Sequence, residues 1–287
     1  MGSLHPVATG ALAGLVAAGA LRLLRARPPG GAARWDRTNH AGAAVTLLEG
    51  PAYAVGAACA AGLSGAGPGP VLAATAAAGF GALDDLVGDS SSKGLKGHLG
   101  ALARGEVTTG AVKVLGLGLT GLATAALVDG RARGHARDGA PTLVDTLVGG
   151  AVVVGSANLL NLLDLRPGRA LKVALVWGVL TAGRPRSTTA GTASGTASGA
   201  AAGAAAAGAA LGLLRPDLDG QAMLGDTGAN SAGAVLGVAL VQATGRRGRL
   251  GSLAVLSALT LASEKVSFTK VIESTPVLRD LDALGRR

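Results

Sequence analysis

The sequence predicts an all-α protein: a polytopic membrane helix bundle of about nine transmembrane helices, forming a single integral membrane domain over residues 1–287. Only 15% of the residues are charged and 49% are hydrophobic, whereas a soluble domain carries roughly a quarter charged residues. A mean hydropathy of +0.45 excludes a disordered chain. The apolar residues are mostly Ala, Leu, Val and Gly, and two Trp, two Phe and one Tyr cannot build a large aromatic core. The 48 Gly follow no Gly-X-Y period, which excludes collagen and suits helices that approach closely in a membrane.

A bilayer core about 30 Å thick needs about 20 helical residues. Nine apolar windows near that length follow one another: 6–24, 43–63, 70–86, 110–128, 142–163, 170–182, 190–214, 228–243 and 250–262. In the first, Arg22, Arg25 and Arg27 follow the apolar run instead of preceding it, so it reads as a span entering from outside and not as a cleavable signal. The second and third are separated by a Gly-rich loop after Ser64, and the fifth and sixth by the turn Leu165-Arg-Pro-Gly168. The seventh opens in a Ser, Thr and Gly stretch with the composition of a linker. A span is expected there, because the run from Ala200 to Leu214 needs only a few small residues upstream to cross.

With the N-terminus outside, 18 of the 26 lysines and arginines fall on the inner side. The other eight are Arg131, Arg133, Arg137, Arg184, Arg186, Arg246, Arg247 and Arg249, and the bias follows the positive-inside rule. The inner segments 25–42, 84–109, 164–169, 215–227 and 263–287 also hold nearly every polar cluster. A formal charge of +9 suits anionic lipid or phosphorylated substrates. Nucleic acid is not an expected partner, since stacking aromatics are not interleaved with the basic residues. Cys59 is alone and permits no intrachain disulfide.

Three inner clusters carry the chemistry. Asp84-Asp85 closes the third window, followed by Lys93, Lys96 and His98. Paired carboxylates beside hydrocarbon are costly unless they hold a cation or a proton, and the lysines suit phosphate oxygens; a solvated helix end is the plainer alternative. Asn158, Asn161 and Asp164 recur at spacing three and share one helix face, which suits hydrogen bonding to a sugar or nucleobase, or polar contacts between helices. Gly225-Asp226-Thr227-Gly228 opens the eighth window, where Asp226 can cap the helix or hold a divalent metal near phosphate. Separated acids without a His or Cys set point to magnesium and phosphate rather than zinc. Gly116-Leu-Gly-Leu-Thr-Gly121 matches a dinucleotide fingerprint by letter, but no strand precedes it, and helix packing is the better account.

These motifs, in this order, resemble the polyprenyl-phosphate N-acetylhexosamine-1-phosphate transferase family, which includes phospho-N-acetylmuramoyl-pentapeptide transferase. The resemblance rests on Arg37-Thr-Asn39 in the first inner loop, Asp84-Asp85, the following Lys93, Lys96 and Lys113, Asn158-x-x-Asn161-x-x-Asp164, and Gly225-Asp226-Thr227-Gly228. It implies transfer of a sugar-1-phosphate from a UDP-sugar to undecaprenyl phosphate at the inner face of the bacterial cytoplasmic membrane, for envelope polymer synthesis. It further implies Mg2+ as cofactor, with Mn2+ as a substitute, and polyprenyl phosphate, nucleotide sugar and membrane as partners, with homodimerisation left open. By the same resemblance Asp84, Asp85 and Asp226 are catalytic, and Asp226 and Asp85 hold the metal. Asn39, Lys93, Lys96, Lys113, Asn158, Asn161 and Asp164 would bind substrate; outside the resemblance, His98 is a phosphate contact or a solvated histidine, and Lys265 is a candidate to replace phosphate contacts that the family makes elsewhere.

Two departures stand out. The family continues its Asn-rich segment as Asp-Gly-Leu-Asp-Gly, where this chain reads Asp164-Leu-Arg-Pro167-Gly168. The family's histidine-rich loop and tenth span are replaced by a tail that contains Lys265, Lys270 and Arg279. The rival reading is a non-catalytic homologue that binds polyprenyl lipid or scaffolds envelope synthesis. A small transporter would leave the one-sided acids unexplained.

Overall fold

The computed structural model of the chain describes residues 4–38, 42–87, 109–134, 140–184 and 190–286. Within them each apolar window contains a helix, but in the second, 43–63, the helix starts only at Glu49, because Ala44–Thr46 pairs as a strand with Asp36–Thr38. The nine corresponding helices are α1 (Pro6–Ala26), α2 (Glu49–Leu63), α3 (Pro68–Val87), α4 (Thr109–Arg133), α5 (Leu143–Leu163), α6 (Arg169–Ala182), α7 (Ala190–Leu218), α8 (Gly225–Ala243) and α9 (Arg246–Ser263). The stretch with linker composition is helical from Ala190 onward. Two short helices, α10 (Phe268–Ser274) and α11 (Pro276–Ala283), follow in the tail.

Local chemistry sets several helix limits. Pro6 stands in the first turn of α1, where its missing N–H costs nothing, and the His5 ring accepts the Val7 N–H. Thr142 and Asp145 form a reciprocal capping box at the start of α5. Gly225 has φ +60°, which lets the chain turn sharply into α8.

Among the described residues, five helical stretches are long and apolar enough to cross a membrane: α1, α3, α4, α5 and Gly195–Leu218 of α7. The molecule is therefore an all-α, multi-pass membrane bundle. With 15 and 14 residues, α2 and α6 reach roughly 21–23 Å. Polar residues open α8, and Arg246, Arg247 and Arg249 open α9.

Small residues assemble the bundle. Gly10 and Gly14 of α1 face Gly208 and Gly212 of α7 backbone to backbone; a Cβ on Gly208 would stand 2.0 Å from the Gly10 carbonyl oxygen. Such spacing lets helices gain dispersion contact that larger side chains would block. α8 is the central rod, with 15 of its 19 residues buried against α2, α3, α5 and α7. A Cβ on Gly233 would lie 2.2 Å from the Ser156 carbonyl, and Ser231 donates to the Ala74 carbonyl at 3.0 Å. Gly116 packs against the Phe80 ring and Gly121 against the Gly150 carbonyl, so the fingerprint-like run packs helices.

One small sheet was not expected from the sequence. β1 (Asp36–Thr38) pairs antiparallel with β2 (Ala44–Thr46), and Arg37 faces Val45. Trp35 is buried beside it, and its indole donates to the Pro29 carbonyl at 2.8 Å. Thr46 bridges to the chain before α8, accepting the Met223 N–H at 3.1 Å. The hairpin therefore lies at the end of the bundle where α8 begins.

Candidate functional site

The C-terminus of α3 and the N-termini of α4 and α8 meet at that same end. The contact depends on Gly81, whose α-carbon sits against the backbone of Asp226 and Thr227. One turn later, Asp85 faces the start of α8. Its Oδ1 accepts the Asp226 N–H at 3.1 Å, and its Oδ2 accepts the Thr227 N–H at 2.8 Å and the Thr227 hydroxyl at 2.6 Å. A carboxylate there satisfies N–H groups that have no helical partner and meets the positive end of the helix dipole. Arg37 from β1 donates to the Asp85 carbonyl.

Lys113 of α4 links the other two acids. Its ammonium donates to Asp84 Oδ2 at 3.1 Å and also to Asp226 Oδ2. The three side chains are only 13–24% exposed, so the attraction is less screened than at an open surface. Two carboxyl groups thus share one cation at the end of the helix bundle.

These residues fit a magnesium ion of the kind held by one or two carboxylates together with substrate phosphates and water. The fitting pair is Asp84 and Asp226, which face one shared cation. Asp85, expected as a metal ligand, directs both oxygens at the start of α8. Among the described residues no group of three or more His, Cys, Asp or Glu side chains is arranged to hold a metal, so substrate or water oxygens would complete the shell.

A second acidic group lies behind the first. Glu49, in the first turn of α2, is fully buried and neither carboxylate oxygen has a hydrogen-bond partner. Asp164 and Asp217 are buried beside it. Asp217 accepts the Gly168 N–H at 2.9 Å, which ties the end of α7 to the loop between α5 and α6. Burial, then the Asp217 charge, push the Asp164 carboxyl well above its ordinary range, so it holds its proton more tightly than a free aspartate. A cavity of about 240 Å³ opens here, lined by Thr38, Asp164, Arg166, Asp217 and Met223 among others. Glu49 was legible as the lone charge inside an apolar window, a signal that marks functional acids in membranes. Asp217 had no such signal, because it follows Pro216 in a run that reads as a loop.

The remaining expected residues divide. Asn158 donates to the Thr260 hydroxyl of α9 at 3.2 Å, the interhelical role that was its alternative reading. Asn161, one turn on, accepts the Asp164 N–H through its backbone carbonyl. Lys265 is exposed in the turn after α9. Asn39, Lys93, Lys96 and His98 lie outside the described residues. The site thus brings together Asp84, Asp85, Lys113 and Asp226, with Asp164 in the adjoining acidic group.

At the opposite end a different polar cluster closes the bundle. Arg249 of α9 donates to Asp129 of α4 at 2.7 Å and to the Asp145 carbonyl at 3.1 Å. Thr146 donates to the other Asp129 oxygen at 2.8 Å. Asp129 is fully buried, so this ion pair holds α4, α5 and α9 together.

Comparison of the sequence with protein-family models and with curated proteins finds no match to either.

Proposed function

We propose that the protein transfers a sugar-1-phosphate from a UDP-sugar to a polyprenyl phosphate, as a divergent member of the transferase family its motifs resemble. The observation that supports this best is the meeting of Asp84 and Asp226, from motifs distant in sequence, across the Lys113 ammonium. The reaction joins two anions: an oxygen of the lipid phosphate forms a bond to the sugar-bearing phosphorus, and the bond from that phosphorus to UMP breaks. Positive charge between the reactants is its main electrostatic requirement. Asp84 and Asp226 would hold Mg2+, which supplies that charge when bound. Lys113 would then be available to a phosphate oxygen, while Asp85 fixes the start of α8 and so the position of Asp226.

In this reading α1–α9 are nine spans, the N-terminus is outside, and the acids face the cytoplasm of a bacterial inner membrane. The three mid-length helices α2, α6 and α9 would cross where polar ends extend into the headgroups. The cavity beside Asp164 and Arg166 would receive part of the nucleotide sugar.

The test is a donor screen with purified protein, magnesium, polyprenyl phosphate and a panel of radiolabelled UDP-sugars that includes UDP-N-acetylglucosamine. The expected result is a lipid-linked sugar diphosphate from at least one donor, abolished in Asp226→Ala. Activity retained in that variant would overturn the site. Binding of polyprenyl phosphate without product from any donor would replace the enzyme by a lipid-binding scaffold. A tag at the C-terminus found outside the cell would overturn the topology.

A further inference from the structure

The tail after α9 is pinned to the bundle by ion pairs, by Phe268 packed against the core and by Gly285 beside Leu218. Asp282 of α11 receives a bidentate fork from Arg169, with Nε at 2.8 Å and Nη2 at 2.9 Å, and Arg286 reaches the same carboxylate at 2.8 Å. Lys172 donates to the Asp282 carbonyl at 2.7 Å, and the third Arg169 donor takes the Thr269 hydroxyl of α10 at 3.0 Å. Arg286 also donates to the Pro167 carbonyl at 2.8 Å, in the loop that follows Asp164. Fork geometry of this kind fixes orientation as well as position.

Pinning of this kind leaves an apolar stripe turned outward. At 100° per residue, Val277, Leu281 and Leu284 fall on one side of α11, about a quarter turn or more from Asp282. They are 57–68% exposed, although each could have been buried. Leu261 at the end of α9, Val266 in the turn after it and Val271 of α10 are also exposed. Lys265 and Lys270 lie in the same tail, and Arg279 lies on the side of α11 away from the stripe. A short helix with an exposed apolar side and charged residues on its remaining surface, attached at the end of a bundle of apolar helices, has the pattern of a helix lying in the bilayer interface.

We propose that α10 and α11 form a strap lying in the headgroup region of the membrane leaflet on the acid-bearing side, with the Val277–Leu281–Leu284 stripe in lipid and Asp282 pinned to Arg169. It rests on the reading that the bundle spans a membrane, and not on the transfer reaction. Because Arg286 holds Pro167 and Asp282 holds Arg169, the strap couples the 164–169 loop to the lipid surface.

The test uses the full chain in nanodiscs of phosphatidylcholine and phosphatidylglycerol. Nitroxide labels are placed one at a time at Val277, Leu281, Arg279 and Ala283 in a Cys59→Ser background, and collision with oxygen is compared with collision with a water-soluble nickel chelate. The expected oxygen-to-nickel ratio is several-fold higher at Val277 and Leu281 than at Arg279 and Ala283, which face the other way. Equal ratios at all four positions would overturn the proposal by placing the stripe in water. Protection of Val277 and Leu281 from both reagents, with spin–spin broadening, would overturn it in favour of a second copy of the chain. All four positions are exposed, so labelling leaves the fold intact.

Discussion

Gly81 and Asp226 touch through their backbones: a single methyl group on Gly81 would stand 2.3 Å from the Asp226 carbonyl oxygen. The distance between the acids of α3 and the acid of α8 is therefore set by the absence of a side chain. Gly81→Ala should force the two helices apart, costing about 1–3 kcal/mol as an overpacked contact. A displacement near 1 Å at Asp226 should lower transfer about 100-fold. Gly79→Ala, which has open space around the new methyl, should leave both unchanged. Thermal unfolding and turnover of the two variants make the comparison; equal behaviour would remove Gly81 from the site.

Lys113 stands where Asp84 and Asp226 would otherwise repel each other. Lys113→Met should destabilise the protein by about 1–3 kcal/mol, less than the loss of a wholly buried partner, because the group is partly exposed. Magnesium should restore part of that loss by taking the place between the two carboxylates. The check is an unfolding temperature measured with and without Mg2+. A variant insensitive to the ion would separate the acid pair from metal binding.

The buried pair at the far end offers a contrast. Arg249→Ala strands the Asp129 carboxylate and should cost about 3–5 kcal/mol. Asp129→Leu with Arg249→Met should recover most of that, since an apolar pair of similar volume has no charge to desolvate. Unfolding of the two single variants and the double variant measures the coupling, and specific activity per folded molecule should stay near the wild-type value in the double variant.

Acid should release the strap. Burial works to raise the Asp282 pKa, but hydrogen bonds from Arg169 and Arg286 and their charges outweigh it and hold the carboxyl below its usual range. A carboxylate depressed in the fold contributes stability that is fully present above its unfolded value of about 3.9 and is lost as pH falls through the lower native value. Nitroxide mobility at Leu284 should thus be constant from neutral pH to near 4 and rise below it. Asp282→Asn should be mobile throughout, and a transition near neutrality would assign the release to another group.

Apolar windows predicted the existence and order of the helices but not all their ends: window 43–63 runs through the strand Ala44–Thr46, and α4 continues to Arg133 beyond the window 110–128. The window 170–182 and the helix Arg169–Ala182 differ by one residue. Asp84, Asp85 and Asp226 were legible as acids where acids are costly. That Asp85 would bind Thr227 and that Lys113 would reach Asp226 was not, because those contacts join segments more than 100 residues apart and depend on Gly81. The hairpin at Asp36–Thr38 was missed because three-residue strands carry too few side chains for alternation to register. The tail helices were missed because Val277, Leu281 and Leu284 form a stripe too short to fill a span.

The glycine seam between α1 and α7 bears on how the protein is made. Gly208 leaves the ribosome roughly 200 residues after Gly10, a delay of about 10–40 s at typical elongation rates. Until then the bare face of α1 has no partner to match it, and something else, lipid or an insertion chaperone, must cover it. α8 emerges later still, so Asp84 and Asp85 are in the membrane well before Thr227 and Asp226 arrive. The acid group therefore cannot assemble until α8 has been made, about 140 residues after Asp85.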